Sequence, residues 1–327
     1  MARRKAKNAP PLPPRGGLGA SRVRLPGPEP LEAFEFLTLV IGQQRHRHPD
    51  DDAAAIRDRF AVGEVVLRDG TPLAPTTVIA PGTDVFFYRR PAPEIPVPFD
   101  IETIYEDDAI LVVRKPPFLA TMPRAAHITE TATVRLRRAT GNEELTPAHR
   151  LDRLTTGLLL LTKRRDIRGA YQQLFASRSV HKLYEAIGAD TGLRAPARWE
   201  HHLVKNPGQV AAHLIEGATP NSVTFVRDVT PLPPDPLWGA GAARYLLEPI
   251  TGKTHQLRVH MNAAGAPIIN DSVYPRILPF GHEDFTAPML LCAVGLEFTD
   301  PLNGQHRRFS TPGYAADHYA LGLEYGG

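Results

Sequence analysis

Prolines at positions 91, 93, 96 and 98 constrain this chain more than any other feature. Each proline fixes φ and removes a backbone donor, so neither a helix nor a central strand can run through residues 90–98. The stretch is expected to be an extended linker, and a domain boundary falls in it. A length of 327 residues agrees, because it exceeds the size at which a single core usually stops growing. With 33 Pro and 26 Gly beside 42% apolar residues, the chain reads as loop-rich and globular, with enough apolar content for a sizeable core.

The formal charge of +3 hides an asymmetry. Arg3, Arg4, Lys5, Lys7, Arg15, Arg22 and Arg24 all precede the first acid, Glu29, leaving 31 bases against 35 acids from residue 25 onward. Residues 1–30 are therefore expected to be a disordered, basic, Pro-rich tail, with folding beginning near Leu31. The basic start runs into prolines rather than an apolar stretch, so it is no signal peptide. The longest apolar run, residues 289–296, is too short to span a bilayer. Cys292 is the single cysteine, which excludes an internal disulfide and a cysteine metal cluster. A cytoplasmic monomer without a membrane segment is the expectation.

Between residues 31 and 92, helix-like spacing at Phe34, Leu37 and Ile41, and then at Ile56 and Phe60, precedes strands at 64–68 and 85–88 around an Asp69-Gly70 turn. This predicts a small α+β module. Through Gly63-Glu64-Val65, Asp69-Gly70 and Pro81-Gly82-Thr83-Asp84 it loosely resembles the αL-type RNA-binding domain. From 93 to 327, strands are predicted at 109–113, 158–162, 182–187, 222–226, 244–249 and 290–298. Helices are predicted at 129–138, at 166–175 with Asp166 as N-cap, and at 254–264 with Gly265 as the stop. The irregular spacing argues against a doubly wound parallel sheet. A mixed, largely antiparallel sheet flanked by helices, hence an α+β fold, fits better.

The most informative stretch is His149-Arg150-Leu151-Asp152-Arg153-Leu154-Thr155-Thr156-Gly157-Leu158-Leu159-Leu160, in which a polar turn holding one carboxylate enters an apolar strand. Such a carboxylate stands at the rim of a rigid sheet, where a reacting group can be held in place. The stretch closely resembles the catalytic signature of the RluA family of pseudouridine synthases, with Thr156 in place of the usual Ser. Three further segments are similar to that family in the same order. They are Val113-Arg114-Lys115-Pro116-Pro117, then Lys182-Leu183-Tyr184-Glu185-Ala186, then Thr251-Gly252-Lys253-Thr254-His255-Gln256-Leu257-Arg258-Val259-His260. Departures are Lys253 for Arg, Asn270-Asp271 for Gly-Asp, and Cys292 for a late His.

The resemblance implies a cofactor-independent isomerisation of uridine in structured RNA, with large-subunit rRNA or tRNA as partner and no metal. Its implied catalytic residues are Asp152 as carboxylate, Arg258 as its charge partner, and Tyr184 stacking on the base or handling a proton. Substrate binding falls to His149, Arg150, Arg153, Thr155, Leu257 and Lys182. The nucleotide must be extruded for its glycosidic bond to be reached, at a cost of a few kcal/mol. Arginines beside the site are then candidates to fill the vacated place and grip phosphates, with the group Lys163, Arg164, Arg165 and Arg168 as further candidates.

Other readings carry less. Gly252-Lys253-Thr254 mimics the end of a phosphate-binding loop, but Leu247 stands where that loop needs Gly. His46, His48 and Asp50-Asp51-Asp52 lack ordered metal-ligand spacing. A glycosidase would want a second carboxylate; Glu185 is beside a motif, but strand alternation points it away from Tyr184. The main alternative is an RNA-binding protein of the same fold without catalysis, against which the joint presence of Asp152, Tyr184 and Arg258 speaks.

Overall fold

The computed structural model describes residues 10–279 and 283–315; Arg3, Arg4, Lys5 and Lys7 lie outside the described residues. The chain forms two compact units, Met1–Pro96 with Met122–Glu143, and Val97–Thr121 with Glu144–Gly327.

The first unit contains β1 (Ser21–Arg24), β2 (Leu31–Glu32), α1 (Ala33–Gly42), α2 (Ala53–Ala61), β3 (Val65–Leu67), β4 (Val78–Ile79), β5 (Asp84–Phe87) and α3 (Ala132–Thr140). Its three-stranded sheet has the order β1-β5-β3, and β2 pairs with β4. Asp52 starts α2 by accepting the amides of Ala54 and Ala55 at 2.9 and 3.0 Å. The core is built from Phe36, Leu37, Ile41, Ile56, Phe60, Val65, Val85 and Phe87.

Two boundaries differ from the sequence reading. Order begins before Leu31, because β1 supplies backbone partners to β5 and Leu25, 2% exposed, packs into the core. Arg15 pairs with Glu64 at 2.6 Å, and Arg22, Arg24 and Arg68 converge on Asp84 at 2.9, 2.9 and 2.8 Å. These tail charges therefore have partners within the module. Residues 122–143, which the sequence reading gave to the catalytic domain, belong to this first unit. Arg137 and Arg138 of α3 donate to the carbonyls of Gly17 and Gly16, while Glu94 in the proline-rich stretch accepts the amides of Ile128, Thr129 and Glu130.

The second unit contains β6 (Glu102–Glu106), β7 (Ile110–Lys115), β8 (Thr146–Pro147), β9 (Thr156–Thr162), α4 (Arg168–Ala176), β10 (Val180–Ala189), β11 (Ala197–Val204), β12 (His213–Ile215), β13 (Ser222–Pro231), β14 (Ala242–Pro249), α5 (Gln256–Ala263), β15 (Leu291–Thr299) and β16 (His306–Ser310). One sheet runs β12-β11-β13-β14-β10-β15-β9-β7-β6, with β16 on β15 and β8 on β9. Every pairing is antiparallel except β15 with β9, so the sheet is mixed and largely antiparallel, as expected. The helix α4 starts at Arg168 with Ile167 as N-cap and no side-chain bond; Asp166 instead faces Arg164 at 3.7 Å.

The parallel junction is short. It consists of Cys292 opposite Thr156 and Ala293 opposite Gly157, after which β15 takes β16 as neighbour and β9 takes β8. Gly157 is required there: its φ is +111°, and a Cβ would lie 2.3 Å from the carbonyl oxygen of Ala293. Beyond the junction, Tyr171 of α4 packs with Ile110, Leu158, Leu160, Phe298 and Phe309. The loop carrying Asp152 enters β9 at this point, in the middle of the sheet.

Candidate active site

The loop before β9 is fixed on both sides of Asp152. Thr121 Oγ1 donates to the Leu151 carbonyl at 2.8 Å and accepts its amide at 3.2 Å. Lys115, fully buried at the end of β7, donates from Nζ to the carbonyls of Pro116 and Leu119 at 2.8 Å each and of Arg153 at 3.2 Å. The Asp152 carbonyl itself accepts the Thr155 amide at 3.1 Å, which closes a turn. Burial pulls the Lys115 amine down to about 7, against the attraction of Asp152. Its three carbonyl acceptors match the three donors of an ammonium.

Asp152 is held at the wall of a cavity of about 460 Å³. Arg258, on the first turns of α5 and 4% exposed, reaches Asp152 Oδ2 from Nη1 at 3.5 Å. The other edge of the guanidinium is committed to Asp271, with Nε to Oδ2 at 2.7 Å and Nη2 to Oδ1 at 2.6 Å. Asp271 is wholly buried as a side chain and also accepts the amides of Val273 and Tyr274. Burial opposes the Arg258 charge most strongly, but its hydrogen bonds to Asp271 together with the negative charges of Asp271 and Asp152 outweigh it and hold the guanidinium protonated.

His255 precedes α5 in left-handed backbone, φ +59°, and its Nε2 lies 3.9 Å from Asp152 Oδ2 while Nδ1 meets the Tyr274 hydroxyl at 3.1 Å. Burial lowers its pKa to about 4, so the ring is neutral near pH 7. Tyr184, on β10, lines the same cavity; burial and the nearby Asp152 raise its pKa, so the phenol stays protonated. Its neighbour Glu185 belongs to the opposite side of the strand, where it accepts the amides of Tyr314 and Ala315.

The structure thus brings together Asp152, Tyr184 and Arg258, with His149, Arg150, Thr155, Leu257 and Lys182 around the same cavity. Arg153 is not in that wall. It forms an ion pair with Glu283 and donates to the Phe118 carbonyl at 3.3 Å. His149 is engaged internally, since Nε2 accepts the Leu160 amide at 3.1 Å and the ring stacks on Phe175 at 4.4 Å. Lys163 pairs with Glu106, Arg164 with Asp166, and Arg168 with the Glu144 carbonyl. Sequence reasoning missed Asp271, His255 and the buried role of Lys115. Each nevertheless stands in a segment compared above with the family: Asn270-Asp271, the segment 251–260 and Lys115-Pro116-Pro117.

Residues 109–263 match the model of the family described as RNA pseudouridylate synthase. The dual-specificity RNA pseudouridine synthase RluA of Vibrio vulnificus is 32% identical over 220 residues, covering 64% of this chain and 82% of that protein. This chain belongs to the RluA family of RNA pseudouridine synthases. The ribosomal large subunit pseudouridine synthase D of Neisseria meningitidis is similar over 81% of this chain and 72% of its own length, at 27% identity. Among solved structures, human RNA pseudouridylate synthase domain containing 1 shares the fold, with a TM-score of 0.50 and 24% identity over 65% of this chain and 83% of the other.

Proposed function

We propose that this chain isomerises specific uridines in structured rRNA or tRNA to pseudouridine, with Asp152 as the carboxylate that acts on the nucleotide. The observation that carries the reading is the placement of Asp152. A loop pinned at residues 151, 153 and 155 presents one partly exposed carboxylate, ion-paired to an almost wholly buried arginine, into a cavity of nucleotide size.

The reaction breaks the bond between uracil N1 and the ribose C1′, turns the base, joins C5 to C1′ and releases the C5 proton. No electron or group enters or leaves the nucleotide besides exchanged protons, so the chemistry asks for a fixed charge, a base-holding surface and exclusion of water. Asp152, ion-paired with Arg258, serves as nucleophile or base toward the sugar. Tyr184, neutral and in the cavity wall, stacks on the extruded uracil or passes a proton. A cytoplasmic, monomeric enzyme remains part of this proposal.

The test is pseudouridine mapping in total RNA from a strain lacking the protein, complemented with wild type or Asp152→Asn. A uridine restored by wild type and not by the near-isosteric variant is expected. Restoration by Asp152→Asn, or no changed position in the deletion strain, would overturn the assignment.

A further inference from the structure

Apart from Arg258, the cavity wall carries Arg150, Arg178, Lys182 and Lys253 against the single carboxylate of Asp152. Arg258 is neutralised by Asp271. Among the described residues, the side chains of the other four have no hydrogen bond or ion pair, whereas Arg153, Lys163, Arg164 and Arg168, none of which lines the cavity, are all engaged. Four cations without a side-chain partner thus share this one concavity.

Arg178 and Lys182 stand out within the group. They approach the cavity from the turn after α4 and the start of β10, and Arg178 adopts left-handed backbone, φ +61°, where glycine is the usual occupant. Like charges are brought together there: burial first, and then the proximity of Arg178, lower the Lys182 amine to about 8. The one acid acting on Lys182, Glu248, is already bonded to Arg227 at 2.5 Å and His181 at 3.3 Å. Two adjacent, unshared cations destabilise the free protein, and their repulsion is relieved by an anion seated between them.

We propose that Arg178 and Lys182 form a phosphodiester subsite that grips the RNA backbone next to the uridine held at Asp152. The proposal rests on the functional reading above and assigns a positioning part to residues that do not touch the reacting atoms. Phosphate contact fixes register without reading sequence, so its loss weakens binding of any strand that enters the cavity.

The test compares wild type, Arg178→Gly and Lys182→Met for binding of a short oligouridylate and of uridine nucleoside, the latter without phosphate, over a range of salt. Each variant is expected to lose about 0.7 from the salt slope for the single strand. Nucleoside affinity should be unchanged. Turnover of [5-³H]uridine-labelled RNA should show raised KM with kcat retained. Because glycine suits the backbone at 178, Arg178→Gly should keep or raise the melting temperature, and the Lys182 amine followed by ¹⁵N NMR should titrate higher. Unchanged salt slopes in both variants, or an equal loss of nucleoside affinity, would overturn the subsite. The slopes are read whether or not wild type turns over, so failure of the synthase reading shows separately, as absence of tritium release by wild type.

Discussion

Arg258 gives one edge of its guanidinium to Asp271, at 2.7 and 2.6 Å, and only the remaining Nη1 reaches Asp152, at 3.5 Å. The arginine is therefore aimed by a second carboxylate, and its distance from Asp152 leaves room for the pair to tighten around substrate.

Arg258→Lys should abolish most activity although it keeps the charge, because a single ammonium nitrogen lacks the planar fork that holds both oxygens of Asp271 along one edge while a separate nitrogen faces Asp152. Asp271→Asn should also lose about 10²-fold in kcat, as expected when a positioning contact shifts a reacting group by about 1 Å. Both are checked by single-turnover tritium release beside circular dichroism. Near-normal rates in either variant would show that Asp271 does not aim the arginine.

Lys115→Met should leave the carbonyls of Pro116, Leu119 and Arg153 without their shared donor. An orphaned buried acceptor costs about 1–3 kcal/mol, so a clear drop in melting temperature is expected. Because the Arg153 carbonyl is one residue from Asp152, kcat should fall further than KM rises. A variant as stable and as active as wild type would mean that the loop is held without the amine.

His149, His260 and His255 are lowered by burial to about 3, 3 and 4, from an ordinary value of 6.5. Between those values the unfolded chain binds more protons than the folded one. Their contribution to stability is therefore complete above about pH 6.5 and is lost as pH falls toward 3, with a slope of up to about 1.4 kcal/mol per pH unit for each group. Denaturant unfolding from pH 7 down to 4 measures it, and NMR of the imidazole carbons assigns it. Imidazoles that titrate near 6.5 in the folded protein would contradict the burial described.

Deleting residues 1–30 removes β1 and Leu25, so the first unit should unfold more readily and less cooperatively. Leu25→Ala alone should cost about 2–5 kcal/mol of that unit's stability. A deletion ending at residue 9 spares both and should keep it. Equal melting for the two deletions would show that β1 adds nothing.

Much of the second unit was legible because its strands are apolar runs ended by turn residues. Strands predicted at 158–162, 244–249 and 290–298 fall within or beside β9, β14 and β15. By contrast, β11 escaped because Arg198, Glu200, His201 and His202 interrupt the apolar residues of Ala197–Val204. The early β1 escaped for a similar reason: Arg22 and Arg24 made it look like a free basic tail, although both close onto Asp84 across the sheet. At the site, Asp152, Tyr184 and Arg258 could be singled out because each sits in a motif. Partnerships could not. That Asp271 holds Arg258, that Glu283 occupies Arg153, and that Arg178 stays bare are results of tertiary packing, which residue spacing does not encode.

The parallel junction beneath Asp152 also sets an order in time. Translation delivers β7, the Asp152 loop and β9 early, but β15 fills the gap between β9 and β10 only after α5 and Asp271 have been made. Until then the start of β9 lacks its parallel neighbour and Gly157 has no Ala293 to close against. A nascent chain that carries its whole signature motif thus still lacks the strand against which the start of β9 is laid.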